Sequence, residues 1–191
     1  MSPFEIAGFV LGLAQIVLLI RRSVWNFPVA MAMVTCFGVV FFQTRLYAET
    51  GLQAFFFVVN AWGWWLWTRA RGADDDAVPV RWMSWPGRLG WALATAAISV
   101  ALGLGLARWT DAALPMADSA VAGMSVAAQL LLSFRRIENW VLWIVIDIVS
   151  IALYVNRDLH LLAVLYAAFL VLSVVGLRAW TRAAGKETRT V

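Results

Sequence analysis

Amide and tryptophan side chains recur at helical spacing in residues 53–64. Gln53, Asn60 and Trp64 are separated by seven and four residues, which places them on one face of a helix. Asn60 lies nine residues before Arg69, or ~13 Å along a helix, which is close to mid-membrane if Arg69 marks the membrane edge. An amide at that depth either faces a cavity or hydrogen-bonds a neighbouring helix, and the spacing leaves both readings open.

A second polar position lies inside the apolar stretch 139–156. Trp140, Trp143 and Asp147 follow one another at i, i+3 and i+7, again on one helix face. A carboxylate in lipid is costly, so Asp147 is predicted to line a cavity, with a paired structural role as the alternative. Indole faces attract organic cations, and amides hydrogen-bond hydroxyl groups. The two sets together predict a site for a flat aromatic, hydroxylated solute that is either cationic or neutral.

Residues for other chemistries are scarce. The chain has one cysteine, Cys36, and one histidine, His160, so neither a disulfide framework nor a metal centre is predicted. The glycines in "LGLGLAR" (102–108) follow no predicted strand and are interpreted as helix-packing positions rather than a nucleotide loop. No cofactor and no catalytic residue is expected. An intramembrane enzyme and a membrane scaffold protein remain as alternatives of other classes.

The composition predicts that lipid surrounds most of the chain. Of its 191 residues, 63% are hydrophobic, well above the 45–50% of soluble domains, and the mean hydropathy is +0.80. The net charge of +4 comes from cations in short loops between apolar runs, which argues against nucleic acid as a partner. The first apolar run lacks the features of a cleaved signal peptide and is interpreted as a retained span.

The fold class predicted is an all-α membrane protein with seven transmembrane helices. The long polar loop after the third helix reads as a linker. The predicted organisation is a three-helix repeat over 1–72, a linker with a fourth helix over 73–110, a second repeat over 111–185 and a tail over 186–191. The helices are predicted at about residues 4–20, 25–44, 51–68, 88–107, 115–134, 139–156 and 160–179.

The lysines and arginines are distributed unevenly between the two sides of this topology. Three lie on the side of the N-terminus and twelve on the opposite side. Cationic loops stay in the cytoplasm. The N-terminus is therefore predicted outside and the C-terminus in the cytoplasm. Trp65 and Trp67, beside Arg69, are interpreted mainly as membrane-interface anchors, and so are Trp25, Trp82, Trp85, Trp109 and Trp180.

The two three-helix segments resemble each other in sequence. The stretch "GWWLWTRARG" (63–72) matches "GLRAWTRAAG" (176–185) at six of ten positions with an offset of 113. The pair Arg21-Arg22 matches Arg135-Arg136 with an offset of 114. Three spans leave the chain on the opposite side of the membrane, and the fourth span returns it to the first side. Both three-helix copies therefore enter the membrane in the same direction. This arrangement is a parallel repeat, which transporters use to form a site between their halves.

Four stretches resemble the PnuC family of bacterial vitamin-precursor transporters, relatives of the SWEET sugar transporters. They are "FFQTRLYAETGLQAFFFVVNAWGWWLW" (41–67), "RW" (81–82), "RRIENWVLWIVIDIVSIALY" (135–154) and, more weakly, "GLRAW" (176–180). The resemblance implies an inner-membrane transporter with a three-plus-one-plus-three arrangement that imports nicotinamide riboside by facilitated diffusion. It also implies a homotrimer, and a cytoplasmic kinase that traps the substrate.

The resemblance also implies which residues bind the substrate. It adds Gln43 to the set, which becomes Gln43, Gln53, Asn60, Trp64, Trp140, Trp143 and Asp147. Two positions depart from the family pattern: Ala117 stands where tryptophan is usual, and Asp147 where asparagine is common. These departures leave thiamine and riboflavin as alternative cargoes. An Asp147 carboxylate favours the ring cations of nicotinamide riboside and thiamine over neutral riboflavin.

Overall fold

The computed structural model describes residues 3–45, 47–70, 77–109, 115–156, 158 and 160–187. This part of the chain is all-helical, which confirms the predicted all-α class and the number of helices. They are α1 (Pro3–Ile20), α2 (Asn26–Gln43), α3 (Tyr47–Ala70), α4 (Trp85–Trp109), α5 (Pro115–Ser133), α6 (Glu138–Asn156) and α7 (His160–Glu187).

The largest difference from the predicted bounds is at the end of α7. The prediction stopped at residue 179, where hydropathy falls, but the helix continues through "WTRAAGKE" to Glu187. Alanine, arginine and lysine are strong helix formers. A fall in hydropathy indicates where a helix leaves the lipid. It does not indicate where the helix ends, because residues of high helix propensity extend the helix into water.

Five of the seven described helices are long and apolar enough to cross a membrane: α2, α4, α5, α6 and α7. The apolar part of α1, Ile6–Ile20, is shorter than that criterion requires. In α3 the mean hydropathy is lowered by the polar residues that the sequence marks as functional, including Gln53 and Asn60. Membrane crossing by α1 and α3 therefore stays a prediction.

The chain divides into two compact units. The first unit contains the chain up to Val80, which includes α1, α2 and α3. It also contains Ser133–Arg135 and the chain from Arg182. Within it α2 packs against both α1 and α3. Near the start of α2 the Phe27 ring meets Trp67 of α3 edge to face, with 5.1 Å between centroids. Gly63 lets α3 approach, because a Cβ there would lie 2.5 Å from Phe27 Cε1.

The second unit contains α4, α6, nearly all of α5, and α7 up to Thr181. Glycines bring α4 and α5 together: a Cβ on Gly103 would lie 2.5 Å from Met116 Sδ. This contact agrees with the predicted packing role of Gly103. Between α6 and α7 the Trp140 and Trp180 rings meet edge to face at 5.6 Å.

Two tryptophans predicted as interface anchors are core residues instead. Trp67 and Trp180 are fully buried, each within an aromatic pair. The membrane-edge prediction was wrong for both, because a Trp–Thr–Arg sequence does not reveal which way the indole points. Trp65 does agree with the anchor interpretation, since it is 47% exposed and the Arg69 guanidinium lies 4.0 Å from its ring centroid. Trp25, Trp82 and Trp85 are also exposed, and the Trp109 side chain lies outside the described residues.

The close approach of α6 and α7 predicts a stability effect at Gly176. A Cβ at this position would lie 2.5 Å from Trp140 Cη2, so the indole must move. We expect Gly176→Ala to destabilise the protein by ~1–3 kcal/mol, as overpacking does. Gly185→Ala is the matched control on the same helix, because a Cβ there meets nothing within 4 Å. Thermal unfolding in detergent checks both variants, and equal stability for the two would contradict the packing assignment.

Left-handed backbone conformations recur at places in the chain that are related by one sequence offset. The described non-glycine residues with positive φ are Arg22 (58°), Arg45 (60°), Arg135 (60°) and Asp158 (57°). Arg22 and Arg135 each follow a helix end and precede the next helix, and αL residues commonly close helix C-termini in this way. One offset, 113, relates Arg22 to Arg135 and also Arg45 to Asp158.

The hydrogen bonds at these turns also match. Ser23 N donates to Leu18 O at 3.0 Å, and Arg136 N donates to Leu131 O at 2.8 Å. The side-chain amide of Asn26 donates to the carbonyl of Ser23, and that of Asn139 to the carbonyl of Arg136, at 2.7 and 2.6 Å. The turns are therefore related by an offset of 113, rather than by the offset of 114 predicted from the two arginine pairs.

The segment Ala77–Met83, which precedes α4, is held at both ends by the turns that precede α2 and α6. In the first unit Val78 N donates to Arg22 O at 3.2 Å. In the second unit Ile137 N donates to Arg81 O at 3.2 Å. Val78 and Val80 are buried, so the segment is anchored by side chains as well as by backbone hydrogen bonds.

A carboxylate strengthens the second of these attachments. Glu138 Oε1 accepts hydrogen bonds from Met83 N at 2.9 Å and from Arg88 Nε at 2.7 Å. Glu138 lies in the first turn of α6, where the helix dipole also favours negative charge. Nearby, burial and the Arg81 charge lower the pKa of Arg136, while Glu138 acts in the opposite direction.

Candidate functional site

Gln43 and Gln53 line one cavity in the first unit. Gln43 is the last residue of α2 and Gln53 lies in the second turn of α3. The cavity between these helices has a volume of about 520 Å³. Its walls are largely apolar, with Val34, Gly38 and Phe57 among them. The structure thus brings two of the predicted amides together, on a surface that offers both donors and acceptors.

Asn60 lies two turns after Gln53 on α3, but its environment is different. It is 4% exposed, and its side-chain amide donates to the Phe56 carbonyl at 2.8 Å. Trp64, one turn further on, is 38% exposed. Neither residue belongs to the walls of the 520 Å³ cavity. Helical spacing predicted that Asn60 and Trp64 share a helix face. In the structure Asn60 is buried, whereas the Trp64 indole is exposed near the surface.

Asp147 is buried in the second unit. It is 3% exposed, and its Oδ2 accepts a hydrogen bond from Ser173 Oγ of α7 at 3.0 Å. Helix α6 supplies the carboxylate and α7 supplies the hydroxyl, so the pair depends on the tertiary contact between them. A hydroxyl can orient a carboxylate, but it brings no compensating charge.

The two tryptophans of α6 differ in burial. Trp140 is 2% exposed, and its Nε1 has no hydrogen-bond partner among the described residues. Trp143 is half-buried and lies one turn before Asp147. A buried indole N–H without a partner is costly, so the Trp140 nitrogen is a candidate donor to a bound molecule.

Ser173 was missed by sequence reasoning. A serine in an apolar helix usually bonds its own helix backbone, so its type alone carries little information. One signal did exist: the offset that aligns the two tryptophan–arginine stretches also aligns Asn60 with Ser173. Applying that offset to the predicted site would have pointed to this position.

The chemistry available here is recognition. The described residues contain no group of three or more histidine, cysteine, aspartate or glutamate side chains able to hold a metal ion. Within the units, the predicted residues supply amides, indoles and one carboxylate. Groups of these kinds bind flat polar molecules in proteins through stacking, hydrogen bonds and charge.

Comparison with known proteins identifies the family. The model of the family described as nicotinamide mononucleotide transporter matches residues 2–182. The chain belongs to this family. The match covers both units, so the sequence resemblance to PnuC transporters is confirmed.

Individual relatives match most of the length of the chain, and one solved structure matches its fold. The nicotinamide riboside transporter PnuC of Escherichia coli (strain K12) is 28% identical over 96% of this chain and 87% of its own length. The riboflavin/roseoflavin transporter RibM of Streptomyces davaonensis is 27% identical over 98% of this chain and 88% of its own. A crystal structure of the vitamin B3 transporter PnuC superposes with a TM-score of 0.77, covers 94% of this chain and 81% of its own, and is 24% identical.

Proposed function

We propose that this protein is a multi-pass bacterial membrane transporter that imports nicotinamide riboside. The relatives that span most of the chain include named transporters of that nucleoside. The observation that carries the proposal is the burial of Asn60 and Asp147, 4% and 3% exposed, inside apolar helices. Buried polar side chains in such helices are expected where a solute passes.

The proposed mechanism is facilitated diffusion with alternating access. In this proposal α1–α3 and α5–α7 form parallel repeats joined by α4, and one repeat rocks against the other around a mid-membrane site. The proposal is supported by the turns and backbone conformations that recur at one common offset, at Arg22 and Arg135. No catalytic step is part of it. A cytoplasmic kinase would trap the imported nucleoside, and the protein would assemble as a homotrimer.

The proposed orientation places the N-terminus outside and the C-terminus in the cytoplasm. The three-to-twelve distribution of lysine and arginine supports it. In this orientation the Arg22 and Arg135 turns and the Ala77–Met83 segment lie on the cytoplasmic side.

Riboflavin is the second candidate cargo, because the RibM relative covers 98% of this chain. Thiamine is a third, on grounds of its ring cation alone. The carboxylate of Asp147 favours a cation, and so places nicotinamide riboside and thiamine ahead of riboflavin.

Thermal stabilisation of the purified protein distinguishes these cargoes. A ligand that binds only the folded state adds ~2.7 kcal/mol at 100 times its dissociation constant. We expect nicotinamide riboside to raise the unfolding temperature more than thiamine, and riboflavin to raise it least. Nicotinamide and ribose, added separately, are the controls for non-specific effects.

The other outcomes have separate meanings. Stabilisation by riboflavin alone would replace the proposed cargo, and stabilisation by none of the vitamins would favour a scaffold protein. Uptake into liposomes that contain only this protein tests the remaining class. An enzyme converts the nucleoside, whereas a facilitative transporter lets it enter unchanged until the concentrations on the two sides are equal.

A further inference from the structure

We infer that Asp147, positioned by Ser173, selects positively charged substrates over neutral molecules of nearly the same shape. This inference rests on the proposed function and makes it more specific. It assigns the transporter to pyridinium nucleosides, and it assigns Ser173 as a positioning residue that acts through Asp147.

The first observation is the isolation of the carboxylate. Asp147 is 3% exposed, and Ser173 is 6% exposed. The hydroxyl of Ser173 donates to Asp147 Oδ2 at 3.0 Å. Among the described residues, no lysine, arginine or histidine nitrogen lies within 4.0 Å of the Asp147 carboxylate. A buried carboxylate without a cation is unfavourable, and a cationic ligand relieves that cost.

The second observation is the aromatic neighbour. Trp143 lies one helical turn before Asp147 and is half-buried. An indole face attracts a cation through its ring quadrupole, and it also stacks on a flat ring. A carboxylate and an indole on one helix face therefore suit a flat heterocycle that carries positive charge.

The third observation is that packing does not require an acid at this position. The repeat offset aligns Asp147 with Val34, which is also buried, at 3% exposure. The same offset aligns Ser173 with Asn60. An apolar side chain thus fills the matched place in the first unit. The carboxylate is a feature of the second unit alone, which fits a role in recognition.

The substrate class follows from this chemistry. The pyridinium ring of nicotinamide riboside carries a positive charge, and its reduced dihydropyridine form is neutral with almost the same outline. Shape and hydrogen bonding to the ribose and carboxamide are shared by the two molecules. A difference in their affinity therefore reports mainly on charge.

The test compares the binding of these two nucleosides to the full-length protein in detergent. We expect the wild type to bind the cationic form at least about tenfold more tightly, as a nearby buried charge implies. In Asp147→Asn the ratio should fall close to one through weaker binding of the cation. Ser173→Ala should reduce the ratio in part, and Ser173→Thr, which keeps the hydroxyl, should restore it.

The unfolding temperature of each variant serves as the folding control. An equal loss of affinity for both nucleosides by folded Asp147→Asn would overturn the inference, because the carboxylate would then act on both forms alike. A wild-type preference that persists in Asp147→Asn would overturn the inference, and so would equal binding of both forms by the wild type. Failure of the wild type to bind either nucleoside would instead refute the proposed cargo.

Discussion

An Asn60→Ala variant should reach the membrane folded and yet lose nicotinamide riboside uptake by at least about tenfold. Loss of one buried hydrogen-bonding partner costs ~1–3 kcal/mol, and a factor of ten in affinity corresponds to ~1.4 kcal/mol. Asn60 is 4% exposed in α3. Its amide donates to Phe56 O within the same helix, and we propose that the same side chain also hydrogen-bonds the substrate.

Asn156→Ala is a matched control for this variant. The Asn156 amide donates to Ala152 O at 2.8 Å, the same local bond and distance as at Asn60, but Asn156 is exposed at the end of α6. Uptake is measured with labelled nucleoside in cells and normalised to folded protein in the membrane. Equal uptake by the two variants would remove Asn60 from the proposed site.

The number and type of helices were predictable because hydropathy and helical spacing report them directly. The helix ends were predicted less well, as the continuation of α7 to Glu187 shows. The end of α7 was predicted from the fall in hydropathy. The helix continues past that point because the residues that follow have a high helix propensity in water. The same reasoning found Asp147, since a carboxylate in an apolar run is conspicuous in sequence.

Contacts between helices were not predictable from the types of the residues and their spacing in the sequence. The interface interpretation failed for Trp67 and Trp180, which are fully buried, because one indole can anchor at a surface or pack in a core. The hydrogen bond that Arg88 donates to Glu138, 50 residues away in sequence, has no local signature. Ser173 could have been found, since the repeat offset maps it onto Asn60.

The offset of 113 pairs packing residues of similar kind, and it pairs polar residues of different kind. The repeat offset aligns Phe27 and Trp67 in the first unit with Trp140 and Trp180 in the second, and both pairs meet edge to face. The polar residues differ: Val34 and Asn60 correspond to Asp147 and Ser173. Packing positions are thus preserved in kind, whereas the positions that carry Asn60 and Asp147 have diverged from their counterparts. Such divergence allows a symmetric fold to bind an asymmetric molecule.

Trp140 is where packing and recognition meet, and Trp140→Phe should separate them. The Trp140 ring packs on Gly176 and Trp180, while its buried Nε1 has no partner among the described residues. Phenylalanine keeps an aromatic ring and removes the unpaired donor. We expect stability to change by no more than about 2 kcal/mol, because the void left by the smaller ring is offset by removal of that donor. Uptake should fall at least about tenfold, since the N–H is the proposed donor to the substrate.

Trp180→Phe is the control that gives this prediction its force, because it removes the same atoms from the other ring of the pair. Trp180 is fully buried and is outside the proposed binding set, so this variant should lose stability and keep uptake per folded molecule within about twofold of the wild type, as expected of a packing residue. Unfolding temperature and liposome uptake are measured on both variants. If Trp140→Phe transports as well as Trp180→Phe, then the indole nitrogen is no substrate donor, and Trp140 supports the site only by packing.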